Sequence, residues 1–346
     1  MSRFLQLHLL SFFPPANLNR DDTGRPKTAV VGGATRLRLS SQALKRAWRT
    51  SDHFKAALDG HMGTRTQRLG ETILAHLTTR GTSDAEALKI VRQILPVFGK
   101  PKPEKDPHPA RTEQLAFIAP EERDAALLLA ERLAAGEKPS TKPEDVLRRT
   151  DTAADVALFG RMLADAPDFN REAAAQVAHA ITTHRVTVED DYYTAVDDLK
   201  TPAEDAGAGF VGEAAFGSGV FYLYLCIDRA LLEKNLGGNT ALAGTALAAL
   251  AEAAATVAPR GKQNSFAAHG RAHFVLAEAG NQQPRTLAGA FAKPVTGDDL
   301  MAASIAALEN FRTALEAAYG PGSDGSARME VGAGGSLADI VAFCRG

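Results

Sequence analysis

A chain of 346 residues, 45% of them apolar and 23% charged, has the make-up of an ordinary folded protein and excludes disorder as its main state. Two cysteines, Cys226 and Cys344, exclude a disulfide framework and have no metal-ligand spacing, which fits a reducing compartment. The net charge of −2 is unevenly spread: residues 1 to 60 hold ten Lys or Arg against four Asp or Glu, a local balance of +6 that leaves −8 for the rest.

Phe4 to Ser11 alternates, with Leu5, Leu7 and Leu9 on one side and Phe4, Gln6 and His8 on the other, the period of a half-buried strand. The apolar run to Phe13 is too short to span a bilayer and ends in Pro14-Pro15 without a small-residue cleavage site, so a cytoplasmic protein with no membrane role is expected. A long loop follows through Asn19, Arg20, Asp21 and Asp22 to Lys27. Gly32-Gly33 then lead into a second alternating segment, with Arg36 and Arg38 on one side and Leu37 and Leu39 on the other.

Ser40-Ser41 begins a helix that runs through Arg49, because serine oxygens cap free amides and Ala43, Leu44, Ala47 and Trp48 form an apolar stripe. Gln42, Lys45, Arg46 and Arg49 lie on or beside the other face. The free amides and positive dipole end at Ser40, Ser41 and Gln42 suit a phosphate. Eight basic residues and two acids lie between Arg20 and Arg49, a concentration that attracts a polyanion.

From about residue 60 to 180 the pattern is mainly helical, broken by Pro-rich stretches from Gly99 to Pro109 and around Lys138 to Pro143. Arg185 to Tyr193 reads as a strand, followed by an acidic, Gly-rich excursion to Gly217. Gly219 to Ile227 suits a central strand and Asp228 to Leu236 a helix ended by Gly237-Gly238. A further helix runs from Thr240 to Val257, its alanines suited to packing rather than to a membrane span. A loop from Gly261 to His269 precedes a strand from Ala272 to Leu276. A helix from Asp298 to Tyr319, a Gly-rich turn and a short C-terminal helix complete the chain. Irregular alternation of strands and helices indicates α/β or α+β.

The G-x-G-x-x-G match at Gly207, Gly209 and Gly212 lacks the strand and helix that a dinucleotide site requires and reads as a glycine loop. Asp190-Asp191 and Asp197-Asp198, with Glu189, read as solvated, and His179 and His184 are five apart, the wrong spacing for a helical zinc pair. No cofactor or metal is expected, and neither a G-x-S-x-G nor a Cys–His arrangement supports an enzyme. Arg20, Lys27, Arg36, Arg38, Ser40, Gln42, Lys45, Arg46 and Arg49 instead combine cations with neutral donors, the mixture used to bind nucleic-acid backbones.

At these residues the sequence resembles the CasC family, the guide-RNA-binding backbone subunit of the type I-E CRISPR Cascade complex. The resemblance rests on Pro15 to Asp22, Ala29 to Gly33 and Arg38 to Arg49. It continues through Ala178 to His184, Tyr193 to Leu199, Gly217 to Tyr222, Gly237-Gly238 and Lys262 to Ala268. It implies an α+β chain: an RRM-like (ferredoxin-like) palm from residues 1–58, a strand at 180–188 and residues 217–346, with a helical fingers insertion at 59–179 and a β-hairpin thumb at 189–216.

It also implies a non-catalytic protein that polymerises head to tail along the guide RNA and presents it for pairing with target DNA in antiviral defence. Its partners would be the guide, the paired target, neighbouring copies and other Cascade subunits. Asn19, Arg20, Lys27, Arg38, Ser40, Gln42, Lys45, Arg46 and Arg49 would contact RNA from the palm, Met162 from the fingers, and Lys262 and Gln263 from a basic loop. Tyr193, Val196 and Leu199 would sit at a kink under the thumb. The alternative is a metal-dependent ribonuclease on a similar palm. Asp21 and Asp22 are the acids within its basic region, and they are expected to orient Arg20 or cap the loop.

Overall fold

Long apolar strands must cover both of their faces, and this chain does so around one antiparallel sheet. The computed structural model describes residues 2–195 and 210–346. Its strands are β1 (Phe4–Ala16), β2 (Thr28–Val31), β3 (Ala34–Leu39), β4 (Thr64–Thr66), β5 (Ala116–Ile118), β6 (Ala175–Val177), β7 (Ala180–Thr182), β8 (Glu189–Ala195), β9 (Phe210–Asp228), β10 (Ala272–Gly280) and β11 (Gly325–Glu330). Early helices are α1 (Ser41–Arg49), α2 (Asp52–Ala57), α3 (Leu69–Thr79), α4 (Asp84–Ile94), α5 (Pro120–Ala134), α6 (Pro143–Val146) and α7 (Ala154–Phe159). Later ones are α8 (Arg229–Asn235), α9 (Thr240–Thr256), α10 (Gln263–Phe266), α11 (Leu300–Tyr319) and α12 (Leu337–Arg345).

The main sheet runs β11-β10-β1-β9-β7-β3-β2, with β6 and β8 also paired to β9. Every pairing is antiparallel. Counted in chain order, β1, the interrupted β6–β7 pair, β9 and β10 have the spatial order 4-1-3-2. The expected α+β class therefore holds as a mixed α+β fold built on a large antiparallel sheet.

Leu5, Leu7, Leu9, Leu37 and Leu39 join Trp48, Phe54, Leu247, Leu250 and Ile340 in the largest core, which places α1, α2, α9 and α12 on one face. On the other face Leu10, Tyr222, Phe274 and Leu276 pack against Leu287, Phe291, Ile305 and Leu308, so α11 closes it. The expectation of a half-buried β1 is thus corrected: Gln6 and His8 are buried as well. Periodicity equates polar with exposed, whereas these side chains are paired. The Tyr224 hydroxyl donates to Gln6 Oε1 at 2.7 Å, and His8 Nδ1 lies 2.9 Å from the Tyr222 hydroxyl.

Four boundaries differ from expectation. β1 continues through Pro14-Pro15 because the register with β9 slips between Phe13 and Ala16, a bulge where the missing proline amides break no ladder bond. β9 begins at Phe210 rather than Gly219, its first residues paired to β8 in place of the expected excursion. Arg185 to Val188 lies outside any strand. β11 forms in the expected Gly-rich turn, paired from Phe274↔Glu330 to Ala279↔Gly325.

Between β3 and β6 the chain forms a second apolar cluster, including Ile73, Leu77, Ile90, Val91, Ile94 and Leu129 from α3, α4 and α5, beside the two-stranded β4–β5 ribbon. Almost every alanine of α9 is buried. Among the described residues no helix is long and apolar enough to cross a membrane.

Candidate nucleic-acid interface

The start of α1 is built from two segments. Ser40 Oγ accepts the Ala43 amide at 3.4 Å, and Asn19 Oδ1 accepts the Ser40 amide at 2.8 Å, so the loop before β2 is tied to the helix it precedes. That loop is itself fixed: buried Asn17 donates to the Gly24 and Ala215 carbonyls, both at 2.9 Å, and the Lys27 amide donates to the Asn19 carbonyl at 2.8 Å. Asp21 Oδ1 accepts the Thr23 hydroxyl and the Thr23 and Arg25 amides at 2.8 to 3.0 Å. The Thr23 hydroxyl bond leads in holding that carboxyl below its ordinary range. Asp21 therefore caps the turn and leaves Arg20 exposed.

Beyond the helix start, α1 forms one wall of an open cleft of about 730 Å³, with Gln42, Lys45, Arg46 and Arg49 facing Arg65, Phe117, Phe159 and Met162. Met162 is 82% exposed. Lys45 Nζ stands 5.9 Å from the centre of the Phe159 ring, and burial lowers its ammonium below the ordinary lysine range. Gln42, Arg46 and Arg65 are exposed. Arg49 differs, since its Nε donates to Asp155 Oδ2 at 2.7 Å. Burial pushes the Asp155 carboxyl up, against the opposing pull of the Gly63 amide and Arg49. The cleft thus offers cations and neutral donors over an apolar floor, an arrangement whose chemistry suits a phosphate–sugar backbone and a stacked ring rather than base edges.

The remaining candidates fall elsewhere. Arg38 donates to His179 Nδ1 at 2.8 Å. It lines a narrow crevice with Asn19 and Lys27. Its neighbour Arg36 is corrected from surface cation to core residue: it is fully buried and donates to the Thr182 and Phe291 carbonyls at 2.8 and 3.1 Å. Lys262 shares a cavity of about 440 Å³ with Arg20, Arg25, Asn17, Asp190 and Glu213. The Gln263 side-chain Nε2 donates inside its own loop to the Pro259 and Ala268 carbonyls at 3.3 and 3.2 Å.

Tyr193 lies on β8 with its ring centre 6.2 Å from that of Phe210. Val196 and Leu199, like Asp197, Asp198, Gly207 and Gly209, lie outside the described residues. His184 accepts the Val220 amide at 3.1 Å. Sequence reading missed Arg65, Phe117 and Phe159, which reach the cleft only through tertiary folding, and the buried Asp155 behind Arg49. Among the described residues no group of three or more His, Cys, Asp or Glu is placed to hold a metal ion.

Comparison with known proteins places this geometry in context. A family model described as CT1975-like protein matches residues 5–338. The chain is similar to one in a solved structure named "CRISPR RNA-guided surveillance complex, pre-nicking", with a TM-score of 0.85 and 30% identity over 99% of this chain and 100% of that one. It is also similar to one named "CRISPR RNA-guided surveillance complex", with a TM-score of 0.73 and 26% identity over 98% and 99% of the two chains. No curated protein matches the chain.

Proposed function

The chain belongs to the CT1975-like family of Cas proteins, and from that premise we propose that it is the subunit that coats the guide RNA in a type I-E CRISPR surveillance complex. Both structural relatives carry the name of an RNA-guided surveillance complex, which makes the guide and the other subunits of such a complex its partners. The observation that carries the reading is the cleft itself: Gln42, Lys45 and Arg46 along α1 on one wall, Met162 and Phe159 on the other.

In this reading the 4-1-3-2 sheet with its helices is an RRM-like palm, the second apolar cluster belongs to the fingers, and the β8–β9 ribbon is the base of the thumb. α11 closes the second sheet face, so RNA runs along α1 rather than across the strands. Phosphates meet the Ser41 and Gln42 amides and the Lys45 and Arg46 cations, while an apolar side chain such as Met162 or Tyr193 lies against a displaced nucleotide. Bases held by their backbone stay open for pairing with target DNA. The protein is non-catalytic, one copy following another head to tail on the RNA, and each Asp21 carboxylate is committed to its turn rather than to a metal.

The test is the salt dependence of binding to a labelled single-stranded RNA. Each phosphate neutralised in single-stranded nucleic acid contributes about 0.7 to the slope of log K against log salt. Lys45→Ala and Arg46→Ala are each expected to lower the slope by about that amount. Wild-type slopes in both variants would put the RNA elsewhere.

A further inference from the structure

Among the described residues, Arg49 is the only cation of α1 with an acidic partner. Its Nε donates to Asp155 at 2.7 Å, a terminal nitrogen donates to the Gly63 carbonyl at 3.0 Å, and its guanidinium carbon lies 4.6 Å from the centre of the Phe117 ring. The Asp155 side chain is wholly buried while that of Arg49 is 22% exposed. The second Asp155 oxygen accepts the Gly63 amide at 2.7 Å and its neighbour Val156's amide at 3.0 Å. Gly63 has no room for a side chain, since a Cβ there would stand 2.8 Å from both Phe117 and Val156. One ion pair therefore joins the last turn of α1, the start of α7 and the point where the chain leaves the main sheet's helices for β4. Met162 follows α7 by three residues.

Resting on the RNA reading of the cleft, we infer that Asp155 is a positioning residue which, through Arg49, fixes the separation between the cationic wall of α1 and the Met162 wall. Arg49 is then a clamp and not a phosphate ligand. A buried carboxylate left without its partner is costly, which keeps the pair closed. Because Asp155 already neutralises Arg49, the pair adds no net charge to the cleft and releases no counter-ions on RNA binding. The planar fork of arginine is also needed, since it serves a carboxylate and a carbonyl at once while stacking on a ring, and a lysine cannot reproduce that.

The experiment measures binding of the full chain to a fluorescein-labelled single-stranded RNA across a KCl series, for wild type, Lys45→Ala, Arg46→Ala, Arg49→Lys, Arg49→Ala, Asp155→Asn and the Arg49→Ala/Asp155→Asn double variant. Arg49→Lys and Arg49→Ala are expected to bind equally weakly, by about tenfold, with the wild-type salt slope retained in both. Asp155→Asn should lose a similar factor, and the double variant no more than either single one. Should Asp155→Asn fold poorly, the Arg49→Lys and Arg49→Ala pair decides the matter.

Wild-type affinity in Arg49→Lys, or a slope lower by about one phosphate in Arg49→Ala, would overturn the inference while a lowered slope in Lys45→Ala leaves the RNA reading standing. Absence of RNA binding by the wild type, or wild-type slopes in both Lys45→Ala and Arg46→Ala, would overturn the RNA reading and the inference with it.

Discussion

Arg36 and Arg38 stand two residues apart on β3 and meet different ends. Arg38 reaches His179 at the surface, whereas Arg36 is sealed between Thr182 and Phe291, and nothing local in the sequence distinguishes them because the Arg36 partners lie 146 and 255 residues away. Ser40 was legible, since capping is a local rule and its hydroxyl does accept the Ala43 amide. The same distance problem hid the buried set around Glu278, whose carboxylate meets Arg285 at 2.8 Å, Arg312 at 2.9 Å and His8 at 3.3 Å. Burial would raise this carboxyl, but His8 and Arg285 outweigh it and hold it well below the ordinary range. His8, His179 and His184 are lowered, in each case chiefly by burial. All these shifts have one sign: the unfolded chain binds protons more readily than the fold. The contribution of these four groups to stability is therefore full above about pH 6.5, falls as the histidines of the unfolded chain titrate, and falls further below about pH 4.5 through Glu278, while the raised Asp155 carboxyl acts in the opposite direction. Thermal melting should drop between pH 7 and pH 5, and Glu278→Gln should cost about 3 kcal/mol at neutral pH by leaving two arginines under-satisfied. A melting temperature flat across that range would contradict the assignment.

At the level of elements, the helices were the more legible because their signals are local: α8, α9 and α11 start on side-chain caps at Asp228, Asn239 and Asp299. Strands depend on partners. β11 reads Gly-Ser-Ala-Arg-Met-Glu, too weakly apolar to announce a strand, and exists because β10 offers it an edge. The early part of β9 was hidden by its glycines, which in isolation signal a loop. Gly212 shows why one belongs in a strand: Tyr193, its partner in register, covers it, and a Cβ there would stand 2.5 Å from the Tyr193 ring. Gly212→Val is expected to expel that ring and speed amide exchange across residues 189–195 and 210–216, while shifting global stability by no more than about 1 kcal/mol. Unchanged exchange would show that the ribbon does not depend on the aromatic cover. Gly32 meets a different demand, a positive φ of 58° in the turn between β2 and β3, with the Ala292 carbonyl directly against it.

For the whole molecule, the presence of both strands and helices and the basic character of α1 with its flanking loop could be read from the chain, because alternation, caps and charge clustering are all short-range; the choice of α+β over α/β comes from the family resemblance. The closure of both sheet faces could not, since it depends on α11 returning from the far end of the sequence. The shape of the cleft was equally hidden: Asp155 is 106 residues from Arg49, and charge counting treats every arginine of α1 as equally free. The molecule that results has one face of its sheet under α9 and α12, the other under α11, and the α1 cations Lys45 and Arg46, which have no acidic partner among the described residues, directed into an open cleft. Co-expression of the protein with a CRISPR array and the neighbouring subunits, followed by purification through a tag on this chain and sizing and sequencing of any bound nucleic acid, tests the central claim most directly. The account predicts a uniform short RNA containing a spacer, with several copies of the chain on each RNA. A nucleic-acid-free monomer would contradict it.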